Sequence, residues 1–167
     1  KFPMHDDCGT LAHVDQSKLF FVIWTTTIWT LPGNLAIAVH PRESYVLVKA
    51  DNGEMYIMAE ALCAKVMKIG GFENYEIVKQ FKGADFEYML AQHPFLDKTS
   101  RLLLADYVTM DSGTGCVHTA PGFGADDYQT CRRYNMEMVV PVDDRGRHTD
   151  YAGKYAGLRV EALSLIH

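Results

Sequence analysis

Gly113-Thr114-Gly115-Cys116-Val117-His118-Thr119-Ala120-Pro121-Gly122-Phe123-Gly124-Ala125-Asp126-Asp127-Tyr128 is the stretch on which the reading of this chain turns. Two glycines around a threonine open it, and glycine, with no Cβ, lets backbone come close to backbone or to a ligand. A short apolar run leads to His118, Pro121-Gly122 marks a tight turn, and a helix is expected from Ala125 to about Tyr134. Asp126 and Asp127 fall in its first turn, where free N–H groups and the helix dipole favour carboxylates. An imidazole and a carboxylate thus stand nine residues apart at the ends of one strand-turn-helix corner. A second stretch, Trp24-Thr25-Thr26-Thr27-Ile28-Trp29-Thr30-Leu31-Pro32-Gly33-Asn34, places four hydroxyls and an amide in another turn. The two turns are expected to face each other across one pocket.

Around these motifs the chain reads as many short strands with about two helices. Leu19 to Thr26 is rich in aromatic and β-branched residues and predicts a buried strand, broken at Pro32-Gly33-Asn34. Further strands are expected at Phe2–Met4, Leu35–His40, Tyr45–Ala50, Glu54–Ala59, Tyr75–Phe81, over 101–110 and around Val117. Asp51-Asn52-Gly53 is a hairpin turn signal. Leu62, Val66 and Met67 recur at helical spacing over 59–69, and Gly70-Gly71 supplies a C-cap. The segment 86–98 reads as irregular with one helical turn, and 143–154 as a loop. Strands do not alternate with helices, so the pattern predicts an α+β domain around a mostly antiparallel, partly closed β-barrel with a few peripheral helices.

The 167 residues suit one domain over 1–167 with a true core. Lys1 opens the chain without methionine and within a strand-like run, so the expectation is a domain excised from a longer protein. The longest apolar run, Leu19 to Trp24, is too short to cross a bilayer, and no signal peptide opens the chain. Cys8, Cys63, Cys116 and Cys131 are widely spaced with no C-x-x-C pair, which speaks for reduced thiols in a cytoplasmic protein rather than zinc or disulfides. A formal charge of −5 argues against a self-sufficient nucleic-acid binder. It leaves room for a domain that handles only the tip of a nucleic acid held elsewhere.

Each motif also has a plainer reading. In a G-x-G-x-x-G dinucleotide loop the third glycine after Gly113 and Gly115 would fall at His118, so that reading fails, and no P-loop is present. The glycines then mark a bulge or corner. A lone histidine is more often a satisfied core or surface residue, the reading given to His5, His13, His40, His93, His148 and His167. His118 stands apart through its company of Thr114, Thr119, Asp126 and Asp127. Thr25-Thr26-Thr27 fits a strand by propensity alone, yet it also sets donors and acceptors where they could hold a small polar ligand and a water. Asp127 could serve its own helix, or it could bind an ammonium group. Asp126 competes for that role, and since neighbours on a helix point about 100° apart, one of the two faces the pocket.

Together the two motifs, in this order, resemble the editing domain of isoleucyl-tRNA synthetase, the connective polypeptide 1 insertion of the class I Ile/Val/Leu synthetase family. The resemblance covers essentially the whole chain. The sister enzymes for valine and leucine carry Thr-Thr-Arg-Pro in the first motif and another residue at the position of His118. Two departures stand out: Ile28 replaces the usual proline, and Phe123 replaces a common histidine. No synthetic-site motif is present, so the resemblance implies no ATP use, no cofactor and no metal. It implies hydrolysis of valine misattached to isoleucine tRNA, with the tRNA 3′ end and the rest of a parent synthetase as partners, no membrane, and a monomeric fragment.

The same resemblance assigns residues. Asp127 would bind the substrate ammonium. Thr25, Thr26, Thr27 and Asn34 would hold the attacking water, the ester carbonyl and the terminal ribose. His118, with Thr30 and Thr119 nearby, would form the wall that excludes isoleucine, and Trp24 would neighbour the terminal adenosine. No Ser-His-Asp or Cys-His nucleophile is visible, so water attacks directly. Two rival readings remain: a tRNA 3′-end binding module without turnover, and a metal-dependent hydrolase using His118, Asp126 and Asp127, although one histidine beside adjacent aspartates is a poor zinc pattern.

Overall fold

The computed structural model describes residues 1–164, so His167 lies outside the described residues. Nine strands form one hydrogen-bonded ladder: β1 (Phe2–Asp6), β2 (Leu19–Phe21), β3 (Ala36–Val39), β4 (Ser44–Ala50), β5 (Met55–Ala59), β6 (Tyr75–Lys82), β7 (Leu90–Gln92), β8 (Thr99–Leu104) and β9 (Cys116–Thr119). Their order is β6-β4-β5-β2-β1-β7-β8-β3-β9. Only β2–β5 and β3–β8 run parallel; the other neighbours are antiparallel. The helices are few and short: α1 (Cys63–Ile69), α2 (Ala125–Arg133) and α3 (Val160–Ser164). None among the described residues is long and apolar enough to cross a membrane, and the four cysteines are free.

The expected α+β class is found, but the expected partial barrel is not. The ladder is open, with β6 and β9 as its edges. On the β6 side the ladder ends in solvent: seven of its eight residues are exposed, Tyr75, Ile77 and Val78 among them, and Phe81 alone is buried. Lys79 and Lys82 on this edge work against the addition of another strand.

Other differences are local. The strand predicted over 19–26 ends at Phe21, although Val22 N–H still reaches the Ile57 carbonyl (3.2 Å). Pro32 does not break a strand. It sits inside a 3₁₀ turn, Ile28–Gly33, because Pro supplies a suitable φ and its missing N–H costs little in so short a helix. The segment 86–98, read as irregular, contains β7, and 101–110 is a strand only to Leu104. A 3₁₀ turn, Asp150–Tyr155, interrupts the loop expected at 143–154. The helix at 59–69 starts as a 3₁₀ turn (Glu60–Leu62), and Gly71, with φ +78°, follows its cap at Gly70.

One large core lies beneath the ladder, with Phe2, Phe21, Ile37, Tyr45, Ile57, Phe86 and Leu102 all nearly or fully buried. A smaller cluster under α1 joins Val46, Val48, Met58 and Met67. The corner expected at the glycines is present, and it is left-handed: Gly115 has φ +75°, and a Cβ there would stand 2.4 Å from the Ala59 Cβ. Glycine is what allows this loop to lie against the end of β5, where Ala59 N–H bonds the Thr114 carbonyl at 2.8 Å.

Candidate active site

Strand register brings the two motifs together. In the antiparallel β3–β9 pair, Ala36 stands opposite Thr119 and Ile37 opposite His118. The start of β3 therefore lies beside the end of β9. The threonine run and the turn Ile28–Gly33 lead into β3, while the Pro121-Gly122 corner and α2 lead away from β9, so the two must emerge side by side. The corner is tightly packed: a Cβ on Gly122 would meet the Val139 carbonyl oxygen at 2.4 Å.

Between them lies a hollow of about 320 Å³ lined by Trp24, Thr25, Thr26, Thr27, Thr30, Val117, His118, Ala120, Phe123 and Asp127. Seven of the nine residues singled out from sequence are thus gathered at one place. Asn34 and Thr119 are not on its surface: both are fully buried, and the Thr119 hydroxyl donates to the Val117 carbonyl (3.1 Å). Trp24 is 61% exposed, so it is a rim residue and not part of the core. Asp126 is exposed and does not line the hollow, so of the two aspartates it is Asp127 that faces it.

The Asp127 carboxylate is half-buried at the start of α2 and accepts the Ala120 N–H at 2.8 Å. Burial pushes its pKa up; the Ala120 N–H opposes this, and the negative charge of Asp126 adds to it. A carboxylate deprived of water in this way gains from any cation that enters beside it. Across the hollow, Thr25 Oγ1 accepts the Thr27 N–H (3.1 Å) and lies 3.4 Å from Thr27 Oγ1. This local turn fixes the hydroxyls relative to each other while Thr26 and Thr27 stay exposed. Thr27 has φ −119° and ψ 75°, outside the helical region even though Ile28 and not proline follows it.

His118 has both ring nitrogens engaged, Nε2 with Thr30 Oγ1 (2.9 Å) and Nδ1 with the Asn34 side-chain amide (2.8 Å). Its burial, reinforced by nearby His93 and Lys98, lowers its pKa to about 4, so it is neutral at ordinary pH. With both nitrogens hydrogen-bonded within the fold, neither is free to ligate a metal ion. Among the described residues no three His, Cys, Asp or Glu side chains gather where they could hold a metal ion.

Several contributors were not among the site residues read from the sequence, although Phe123 stood out there as a departure from the family pattern. Phe123 lines the hollow and packs edge-on against Trp29 (5.1 Å). His93, Lys98 and Ser100, from the β7–β8 hairpin, hold the threonine turn from behind. His93 Nε2 donates to the Leu31 carbonyl (2.9 Å), Lys98 Nζ donates to the carbonyls of Pro32 (2.8 Å) and Asn34 (2.7 Å), and the Ser100 hydroxyl donates to Asn34 Oδ1. They come from about 65 residues downstream of the turn and belong to no motif, so only a comparison of three-dimensional positions reveals them.

Comparison with known proteins adds the family. The sequence pattern of the family described as leucyl-tRNA synthetase, editing domain, matches residues 10–161. An isoleucine–tRNA ligase of Caldicellulosiruptor saccharolyticus is 50% identical over 163 residues, covering 96% of this chain and 18% of that protein. One from Kosmotoga olearia is 54% identical over 146 residues, covering 87% and 16%. The chain thus spans less than a fifth of the length of these relatives. Among solved structures, GlLeuRS-CP1 superposes with a TM-score of 0.63 at 21% identity, over 77% of this chain and 57% of that one. The editing domain of the P. knowlesi cytosolic leucyl-tRNA synthetase gives 0.62 at 16%, over 93% and 62%. At such identities these structures speak for the fold alone.

Proposed function

The chain belongs to the editing-domain family of the isoleucyl- and leucyl-tRNA synthetases, and from that premise we propose that it hydrolyses the ester linking valine to isoleucine tRNA. The observation that carries this reading is the single hollow shared by Asp127, the Thr25–Thr27 run and His118.

Each side of the hollow offers a distinct chemical group. The α-ammonium of an aminoacyl ester would pair with the desolvated Asp127 carboxylate, which anchors the ester relative to the chain. The carbonyl would then lie toward the threonine hydroxyls, which orient a water and donate to the oxyanion as it forms. Water adds to the carbonyl carbon, the bond to the ribose oxygen breaks, and that oxygen leaves with a proton derived from the water. Water attacks directly in this reading: no serine or cysteine lines the hollow, and the Thr30 hydroxyl beside His118 donates to the Thr27 carbonyl and not to the ring. Trp24, at the rim, is positioned to flank the terminal adenosine. The partners of this reaction are the tRNA 3′ end and the remainder of a synthetase, and no ATP enters it.

A second site is required for a physical reason. In an apolar pocket one methylene is worth only ~1–3 kcal/mol, a general figure for which isoleucine against valine is the standard example. A pocket that accepts isoleucine cannot firmly refuse valine, whereas a smaller one admits valine and clashes with isoleucine. The carbon edge of His118 is the wall that sets this limit.

The test is deacylation of Val-tRNA(Ile) and Ile-tRNA(Ile) by the chain and by a full-length ligase carrying it. Valyl ester should be lost much faster than isoleucyl ester, and Asp127→Ala should slow valyl hydrolysis by at least about 100-fold. Equal rates on the two esters, or full activity in Asp127→Ala, would overturn the reading.

A further inference from the structure

Behind the hollow, a row of polar side chains admits one consistent arrangement of hydrogens. The Asn34 side chain is fully buried, and one of its amide atoms lies 2.8 Å from the Ala36 carbonyl oxygen. A carbonyl can only accept, so that atom is the NH₂ nitrogen. Oδ1 on the other side then accepts from the Ser100 hydroxyl, itself fully buried. The same NH₂ lies 2.8 Å from His118 Nδ1, and a ring nitrogen facing a donor must present its lone pair. His118 therefore carries its proton on Nε2, which donates to Thr30 Oγ1 across 2.9 Å. The Thr30 hydroxyl is left to donate to the Thr27 carbonyl at 2.8 Å. Every proton in the row points from Ser100 toward Thr27, in the threonine run itself.

We propose that Asn34 and Ser100 are positioning residues that lock His118 in its neutral, Nε2-protonated form and hold its carbon edge against the hollow, making the size filter independent of pH where a free histidine would titrate. The inference rests on the reading of the hollow as a filter between valyl and isoleucyl groups. It also gives Asn34 a role different from contact with water or ribose, for which its burial leaves no access. The charged and titratable groups around His118 act in the same sense or from a distance: His93 and Lys98 on the β7–β8 hairpin disfavour a second proton, and Asp127 shares the hollow from α2. Protonating Nδ1 would set N–H against the Asn34 NH₂, and turning the amide over would set its oxygen against the Ala36 carbonyl.

Two variants test this by a readout independent of hydrolysis. In the unaltered chain the chemical shifts of the His118 ring nitrogens should report a bare Nδ1 and a protonated Nε2, unchanged between about pH 8 and about pH 5. Asn34→Asp puts an acceptor where the donor stood, so His118 should take a proton on Nδ1 and titrate at or above about 6.5. The preference for valyl over isoleucyl ester should then vary with pH and fall by about tenfold. Ser100→Ala leaves the NH₂ donor but frees its far end; His118 should stay neutral while the preference weakens severalfold. It serves as the test if Asn34→Asp does not fold. A proton on Nδ1 in the unaltered chain, or titration near its free value, overturns the lock whatever the hydrolysis rates. A preference unchanged in both variants overturns its link to selection. A correct tautomer in a chain that hydrolyses neither ester sinks the proposed function and leaves the lock standing.

Discussion

His118 shows how little a residue type says until its hydrogen bonds are known. An imidazole beside aspartates and threonines suggests a base or a ligand, yet both nitrogens are bonded and the pKa is near 4 because the ring is buried. What remains for the hollow is shape. His118→Ala should therefore enlarge the hollow without removing a proton acceptor. Valyl ester hydrolysis is expected to persist, while the isoleucyl ester becomes a substrate, closing most of a gap of about 10- to 200-fold. Parallel deacylation of the two charged tRNAs measures this, and an unchanged ratio would remove His118 from the wall. Asp127 differs because it presents a half-buried carboxylate to the hollow: its position at the first turn of α2 was readable from the Gly-Phe-Gly-Ala-Asp-Asp run, but which aspartate faces inward was settled only by the helix phase.

At the scale of elements, the hairpin β7–β8 is what holds the threonine turn. A short 3₁₀ turn leaves carbonyls unpaired at its end; Lys98 meets those of Pro32 and Asn34, and His93 adds a second donor to the Leu31 carbonyl, which also accepts the Asn34 N–H (2.9 Å). His93 Nδ1 in turn accepts the N–H of Leu96 (3.1 Å), so the ring is fixed neutral, and burial lowers its pKa to about 4. Its free value is about 6.5. Since the folded pKa is the lower one, the associated stability is fully present above about 6.5 and is lost as pH falls toward about 4, where the unfolded chain takes up a proton that the folded chain refuses. At about pH 5 the loss is about 2 kcal/mol for His93 and similar for His118. His93→Gln should shrink the fall in unfolding free energy between about pH 7 and about pH 5 by that amount, as urea titrations at the two pH values would show. Equal falls in both proteins would mean that His93 is protonated in the folded chain. This hairpin is also where sequence reading ran out. Long strands such as β4 and the Asp51-Asn52-Gly53 turn declare themselves through alternation and turn chemistry. The three residues of β7 have too little length for a period, and the hydroxyl run has the composition of a strand although β2 stops at Phe21. The meeting of the two motifs was legible because both are rich in residues that plain folding does not require; their support was not, because it is tertiary.

The whole molecule couples the site to one core. The ladder is open, yet side chains from β1, β2, β3, β4, β5 and β8 converge on a single apolar cluster, and Phe86 lies inside it against Phe21 (5.5 Å), Tyr45 (5.6 Å) and Phe81 (5.2 Å). Both functional turns hang from the β3–β9 edge of that ladder, and Leu31 of the threonine turn reaches into the same cluster. If one core holds everything, the site cannot melt before the rest. Both tryptophans of the chain, Trp24 and Trp29, lie in the threonine turn, so tryptophan fluorescence reports the site while far-ultraviolet circular dichroism reports the ladder. Phe86→Ala should cost ~3–5 kcal/mol, a large share of the ~5–15 kcal/mol typical of a domain. It should move both signals to lower denaturant by the same amount, with the two transitions coincident in each protein. A fluorescence change that precedes the loss of ellipticity, or that ignores Phe86→Ala, would show that the threonine turn is held by the His93–Lys98 hairpin alone and that the hollow opens as a separate unit.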